Sequence, residues 1–137
     1  MDKLNKNSEF NYDFSFSQED VNVFAEVTGD KNPLHLDTEF AEKSIFKRRI
    51  IHGFLAGSIF SKILSSFFPG EGTIYLSQSM NFLKPMYADE EYTAHCKVLE
   101  ILPKNRALLI TEVLDSNGVK SLQGEAVIMN LEMIPRI

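Results

Sequence analysis

Residues 53–67, GFLAGSIFSKILSSF, carry apolar side chains around most of a helix, interrupted by the small residues Gly57, Ser58, Ser61, Ser65 and Ser66 and one charge, Lys62. A helix that is apolar nearly all round has to be covered. At 1.5 Å per residue it would run about 22 Å, roughly the width of a small sheet. Pro69 and Gly70 stop it. The cover has to come from the C-terminal half, which reads as β. Residues 73–83 (TIYLSQSMNFL) predict one strand, ahead of Lys84-Pro85. Residues 91–102 alternate, with Tyr92, Ala94, Cys96 and Val98 on one face, and residues 106–115 form another run. Asn117-Gly118 signals a two-residue hairpin into residues 119–133. These elements predict an α+β fold in which a curled antiparallel sheet wraps around a long central helix.

Ahead of that helix, Tyr12, Phe14 and Phe16 alternate with Asp13 and Ser15, the period of a short strand. Ser17 with Asp20 three residues on predicts a capping box. The helix it opens carries Val21, Phe24 and Ala25 on one face and stops at Gly29. Residues 29–37, GDKNPLHLD, are a loop by composition, stiffened because Pro33 fixes its own φ and restricts Asn32. Asp37 or Thr38 then caps a short helix through Phe40, Ala41 and Lys43. Residues 1–9 are polar and are expected to be flexible. With 137 residues, no repeat and no Pro/Gly-rich linker, residues 1–137 form one domain by this reading.

Charge and composition narrow the function. A net charge of −5 argues against a general binder of nucleic acid, although Lys47, Arg48 and Arg49 form a local basic run. The single cysteine, Cys96, excludes an internal disulfide and a cysteine-rich zinc site, and its place in a strand suggests a packed thiol. No stretch approaches the ~20 apolar residues of a membrane span. The start, MDKLNKNSEFNYDF, lacks the apolar core of a signal peptide, so a cytoplasmic location is expected.

Two features could carry chemistry. Asp30 and His35 stand five residues apart on the stiff loop, where a carboxylate and an imidazole can grip one water, one as base and the other as acid. The bland alternative is a turn aspartate bonded to its own backbone beside a solvated histidine. The second feature is Gly53 at the start of the central helix. Its N–H has no intrahelical partner, and the missing side chain lets a ligand approach. A carbonyl oxygen there would meet an amide donor and the positive end of the helix. Close packing on a strand would equally explain the glycine. His52 could touch a substrate or bond structurally at the helix start, and His95 shares a face with Thr93 and Lys97, predicting exposure. The histidines lack metal-binding spacing, so neither metal nor organic cofactor is expected.

From Phe24 to Ala41 the chain reads F-A-E-V-T-G-D-K-N-P-L-H-L-D-T-E-F-A. This resembles the signature of the MaoC-like, R-specific enoyl-CoA hydratases: an aromatic, a G-D-x-N-P-L-H run, five residues and a small one. The similarity continues through I-I-H-G-F-L-A-G-S-I-F-S at 50–61, G-x-I-Y-L at 72–76, N-F-L-K-P at 81–85 and G-E-A at 124–126, covering about residues 12–130. The resemblance implies a hot-dog fold, usually a homodimer, acting on an acyl-CoA thioester. It implies that Asp30 and His35 are the catalytic pair, that Asn32 holds the loop, that the Gly53 N–H polarises the thioester carbonyl, and that Ser61 is a supporting contact. Arg49 departs from the proline common before I-x-H-G, and Arg48 and Arg49 become candidates for coenzyme A phosphates, as well as for a plain solvated run. The expected reaction is reversible hydration of a trans-2-enoyl-CoA to an (R)-3-hydroxyacyl-CoA. Alternatives are a 3-hydroxyacyl-acyl-carrier-protein dehydratase of fatty-acid synthesis, an acyl-CoA thioesterase and a non-catalytic thioester-binding module.

Overall fold

A computed structural model describes residues 2–137. In chain order the elements are β1 (Glu9–Phe14), α1 (Gln18–Thr28), α2 (Pro33–Leu36), α3 (Thr38–Glu42), α4 (Gly53–Ser66), β2 (Ile74–Gln78), β3 (Asn81–Phe82), β4 (Tyr92–Leu102), β5 (Arg106–Asp115) and β6 (Lys120–Met129). The strands form one antiparallel sheet in the order β1-β4-β5-β6-β2, with β3 also paired to β6. Alternate residues of β4 to β6, among them Ala94, Val98, Leu109, Val113, Leu122 and Ile128, are buried in one cluster with Ile59, Phe60, Ile63 and Leu64 of α4. The period-2 and period-3.6 patterns of the sequence therefore meet in a single core.

Local signals behave as their chemistry dictates. Ser17 Oγ accepts from the Asp20 N–H at 3.1 Å, and the Asp20 carboxylate accepts from the Ser17 N–H at 2.9 Å. Gly29 closes α1 in the left-handed region (φ 79°), donating its N–H to the Ala25 carbonyl. Asp37, rather than Thr38, caps α3.

Several expectations need correction. The central helix is not enclosed on all sides by its own chain. Leu55, Ala56, Ile59, Phe60, Ile63 and Leu64 face the core, whereas Phe54, Ser58, Ser61, Lys62 and Ser65 are exposed. The small residues that break the apolar pattern mark this outer face. Residues 2–9 are held rather than frayed: Leu4 is only 2 % exposed, its N–H donates to Met133 O at 2.8 Å, and Asn7 and Ser8 bond to Val98. The 73–83 run is two strands, because the chain turns inward at Ser79, where a side chain on Gly124 would lie 1.7 Å from the Ser79 carbonyl. The β5–β6 connection is residues 116–119 rather than a two-residue turn. The Asp115 carboxylate accepts from the N–H groups of Asn117 and Val119, and of the Asn-Gly pair only Gly118 adopts positive φ. β6 ends at Met129 because the buried Asn130 side chain accepts from the N–H groups of Glu132 and Met133. Within the 29–37 loop lies the short helix α2: Pro33 needs no N–H at the first helical turn, and Asn32 Oδ1 caps it from the Leu34 N–H at 3.1 Å. No helix of the described residues is long and apolar enough to cross a membrane.

Candidate active site

The stiff loop and the start of α4 are tied together by three histidine and backbone contacts. After Gly29 the chain turns so that the Asp30 N–H meets Thr28 Oγ1 at 3.2 Å and Asp30 Oδ1 faces the Asn32 N–H at 3.4 Å. Asn32 then caps α2, which points His35 inward, 8 % exposed. His35 Nδ1 lies 2.8 Å from the Ile50 carbonyl. The Ile50 N–H returns to Leu34 O, and the Ile51 N–H reaches Met86 O, so the segment entering α4 is clamped on both sides. His52, the residue preceding α4, places Nε2 2.9 Å from the Asp30 carbonyl and stacks on His35 with ring centroids 3.8 Å apart.

These contacts fix the protonation pattern. A carbonyl oxygen only accepts, so His35 Nδ1 carries the proton and Nε2 holds a lone pair when the ring is neutral. Burial pulls the His35 pKa below its ordinary 6.5, outweighing the Ile50 bond that would raise it; the facing His52 adds to the depression and Asp30 opposes it. At neutral pH the imidazole is therefore a base. Polar atoms of Asp30, His35 and His52 converge within 4.8 Å of one another. Two groups that far apart can share one water, which sits about 2.8 Å from each partner. The same trio is where a cation would be met among the described residues, although each histidine commits one ring nitrogen to a carbonyl.

His35 and Gly53 open onto a cavity of about 390 Å³, whose other walls are mainly apolar and include Phe46, Phe54, Ala56, Phe82 and Met86. Gly53 is the first residue of α4 and offers an N–H without an intrahelical acceptor. Gly53 lines the cavity and also admits the Phe82 ring, which a side chain there would approach to 2.5 Å. Asp30 is exposed and is not among the residues of the cavity wall, although its carboxylate lies within 4.8 Å of a ring nitrogen of His35.

The other predicted residues divide. Asn32 caps α2, its Oδ1 accepting from the Leu34 N–H at 3.1 Å. Ser61 is exposed, two helical turns (about 12 Å) beyond Gly53, and does not line the cavity. Arg48 is exposed, paired with Glu90 at 2.7 Å and stacked 3.5 Å over Tyr87, and Arg49 is half-buried; neither lines the cavity. His95 is not simply exposed: it lies between Glu112 at 3.0 Å and Glu9 at 3.7 Å. Cys96 is buried, and burial pushes its thiol up to about 12, which removes it as a nucleophile. Sequence reasoning gave no role to the 82–86 wall, where Lys84 stands out as one charge in an apolar run. It also undervalued the tie from His52 to Asp30.

Comparison with known proteins places this geometry. Residues 2–115 match the model of the MaoC like domain. An (R)-specific enoyl-CoA hydratase of Aeromonas caviae is 40 % identical over 114 residues, covering 82 % of this chain and 85 % of the relative. A mitochondrial 3-hydroxyacyl-[acyl-carrier-protein] dehydratase of Arabidopsis thaliana is 35 % identical over 127 residues, covering 88 % of this chain and 75 % of the relative. The solved structure of an (R)-hydratase from A. caviae involved in PHA biosynthesis superposes with a TM-score of 0.90 at 37 % identity, covering 93 % of this chain and 97 % of that one. The fold is accordingly the α+β hot-dog arrangement, and the chain belongs to the MaoC-like family.

Proposed function

We propose that this protein is an (R)-specific enoyl-CoA hydratase, a hydro-lyase that adds water to a trans-2-enoyl-CoA to give an (R)-3-hydroxyacyl-CoA and runs equally in reverse. The observation that carries the reading is that His35, with Nε2 free of protein partners and Asp30 within 4.8 Å, lines an apolar cavity together with Gly53, the first residue of α4. The R configuration rests on the relatives so named.

The chemistry follows from where charge develops. The thioester carbonyl accepts from the Gly53 N–H at the positive end of α4, which withdraws electrons from the β-carbon. Water held between Asp30 and His35 attacks that carbon while His35 Nε2 takes its proton. The electrons of the double bond move towards the thioester oxygen, and the Gly53 donor stabilises the resulting enolate by about 3 kcal/mol, as in comparable oxyanion sites. The acid–base pair then delivers a proton to the α-carbon. One water is consumed, one C–O and one C–H bond form, and no redox step or cofactor enters.

The same proposal includes Asp30 and His35 as the catalytic pair and a cytoplasmic homodimer as the working form. Supporting a dimer, Phe54, Leu76, Phe82 and Leu83 are large apolar residues left exposed on the outer side of α4, on β2, on β3 and just after β3. A carrier-protein substrate is the second reading, favoured by the Arabidopsis relative. The net charge of −5 weighs against it, because an acidic carrier needs a basic docking surface. The test is loss of enoyl absorbance with matched CoA and carrier-protein thioesters, and thiol release from a saturated acyl-CoA. Fast hydration of the CoA form with no thiol release is expected. Thiol release without hydration would overturn the reading.

A further inference from the structure

His52 has no assigned part in the reaction just proposed, yet it is the most constrained polar side chain near it. It is 2 % exposed, and a buried histidine normally satisfies both ring nitrogens. Here Nε2 faces the Asp30 carbonyl, so it must donate, which leaves the buried Nδ1 as a lone-pair acceptor with no hydrogen-bond partner. His52 precedes α4, where a side-chain acceptor usually caps the helix, but its ring makes no capping bond. The ring is instead turned flat against His35, centroids 3.8 Å apart and planes 28° apart, with Phe24 on it at 4.8 Å. A fold selecting only for stability would avoid an unpaired buried nitrogen and use the cap.

We propose that His52 is a positioning residue that holds Asp30 and His35 in one reactive geometry, through its N–H to the Asp30 carbonyl and its stack on the His35 ring. The loop bearing Asp30 has few other long-range ties: the remaining bonds of residues 30–32 are to their immediate neighbours, apart from the exposed Lys31–Glu26 ion pair. Without the His52 donor, the Asp30 carboxylate is free to drift relative to His35. Displacement of a reacting group by about 1 Å is enough to cost about 10²-fold in rate. The inference rests on the hydratase reading.

The test separates rate from stability. His52→Phe keeps a flat ring against His35 but removes the donor, together with the unpaired nitrogen. It is expected to fold with undiminished thermal stability, while kcat falls about 10²-fold and KM changes little. His52→Gln restores an N–H donor for the Asp30 carbonyl and is expected to recover at least about tenfold of that loss, because it returns the tie that positions the reacting carboxylate. Should Phe not fit, His52→Met, unbranched and adaptable, gives the same donor-free comparison. A folded donor-free variant turning over at the wild-type rate, or a Gln variant no faster than it, overturns the inference. The hydratase reading stands or falls separately, on whether the wild-type enzyme hydrates enoyl-CoA and the Asp30 and His35 variants do not.

Discussion

His35 makes two contacts with separable consequences, and substitutions can take them apart. Nδ1 holds the Ile50 carbonyl at 2.8 Å and belongs to the fold; Nε2 makes no bond to the protein, and in the proposed reaction it is the base. His35→Asn keeps an amide nitrogen where Nδ1 stood but has nothing at Nε2. His35→Ala removes both. Loss of a well-placed general base costs about 10²–10⁴-fold, so both variants should fall in kcat/KM by that factor. Stability should differ. Alanine leaves the Ile50 carbonyl unpaired, which costs about 1–3 kcal/mol unless cavity water replaces the donor, whereas asparagine retains the bond. For a domain of this size that difference lowers Tm by roughly 3–10 °C in the alanine variant relative to asparagine. Enoyl absorbance and thermal melts measure the two effects independently. An asparagine variant within tenfold of the wild-type rate would refute the assignment of Nε2 as base.

Two further outcomes follow from the same geometry. Because burial holds the His35 pKa below 6.5, the base form persists into mildly acid solution, and the acid limb of kcat/KM should lie below pH 6.5. The linked stability has a definite sign: the unfolded chain takes up the proton first, so stability falls as pH drops from 6.5 through the lowered folded pKa and gains nothing from this group above 6.5, as a pH series of melts would show. Gly53→Ala brings a methyl to 2.5 Å from the Phe82 ring. That ring is half exposed and can swing aside, so stability should change by less than about 1 kcal/mol, while the shifted ring alters the cavity wall and kcat/KM should fall about tenfold or more.

Local chemistry was legible in the chain because it is encoded within a few residues. Ser17 with Asp20, Gly29, and the alternation from Tyr92 to Val98 each act through neighbours that the sequence displays side by side. The proximity of Asp30 and His35 was legible for the same reason, since Asn32 caps and Pro33 opens the short helix that turns His35 back towards Asp30. What escaped depends on distant pairing. Phe82 reaches Gly53 only because β3 pairs with β6, and that register depends on Gly124 admitting the Ser79 carbonyl. The tie from His52 to Asp30 spans 22 positions and leaves no periodic trace. The central helix was over-read as enclosed because small residues count as neutral in an apolar pattern, whereas here Ser58, Ser61 and Ser65 mark its open face.

Asp30 is the member of the proposed pair that is exposed and does not line the cavity wall, so its role is the most open to test. Asp30→Asn keeps the size of the side chain and an oxygen for the Asn32 N–H while removing the charge. Steady-state hydration of a trans-2-enoyl-CoA by this variant, with folding checked by its melt, is the most direct measurement. A fall of about 10²–10⁴-fold at unchanged stability is the predicted result; a rate near that of the wild-type protein would contradict it.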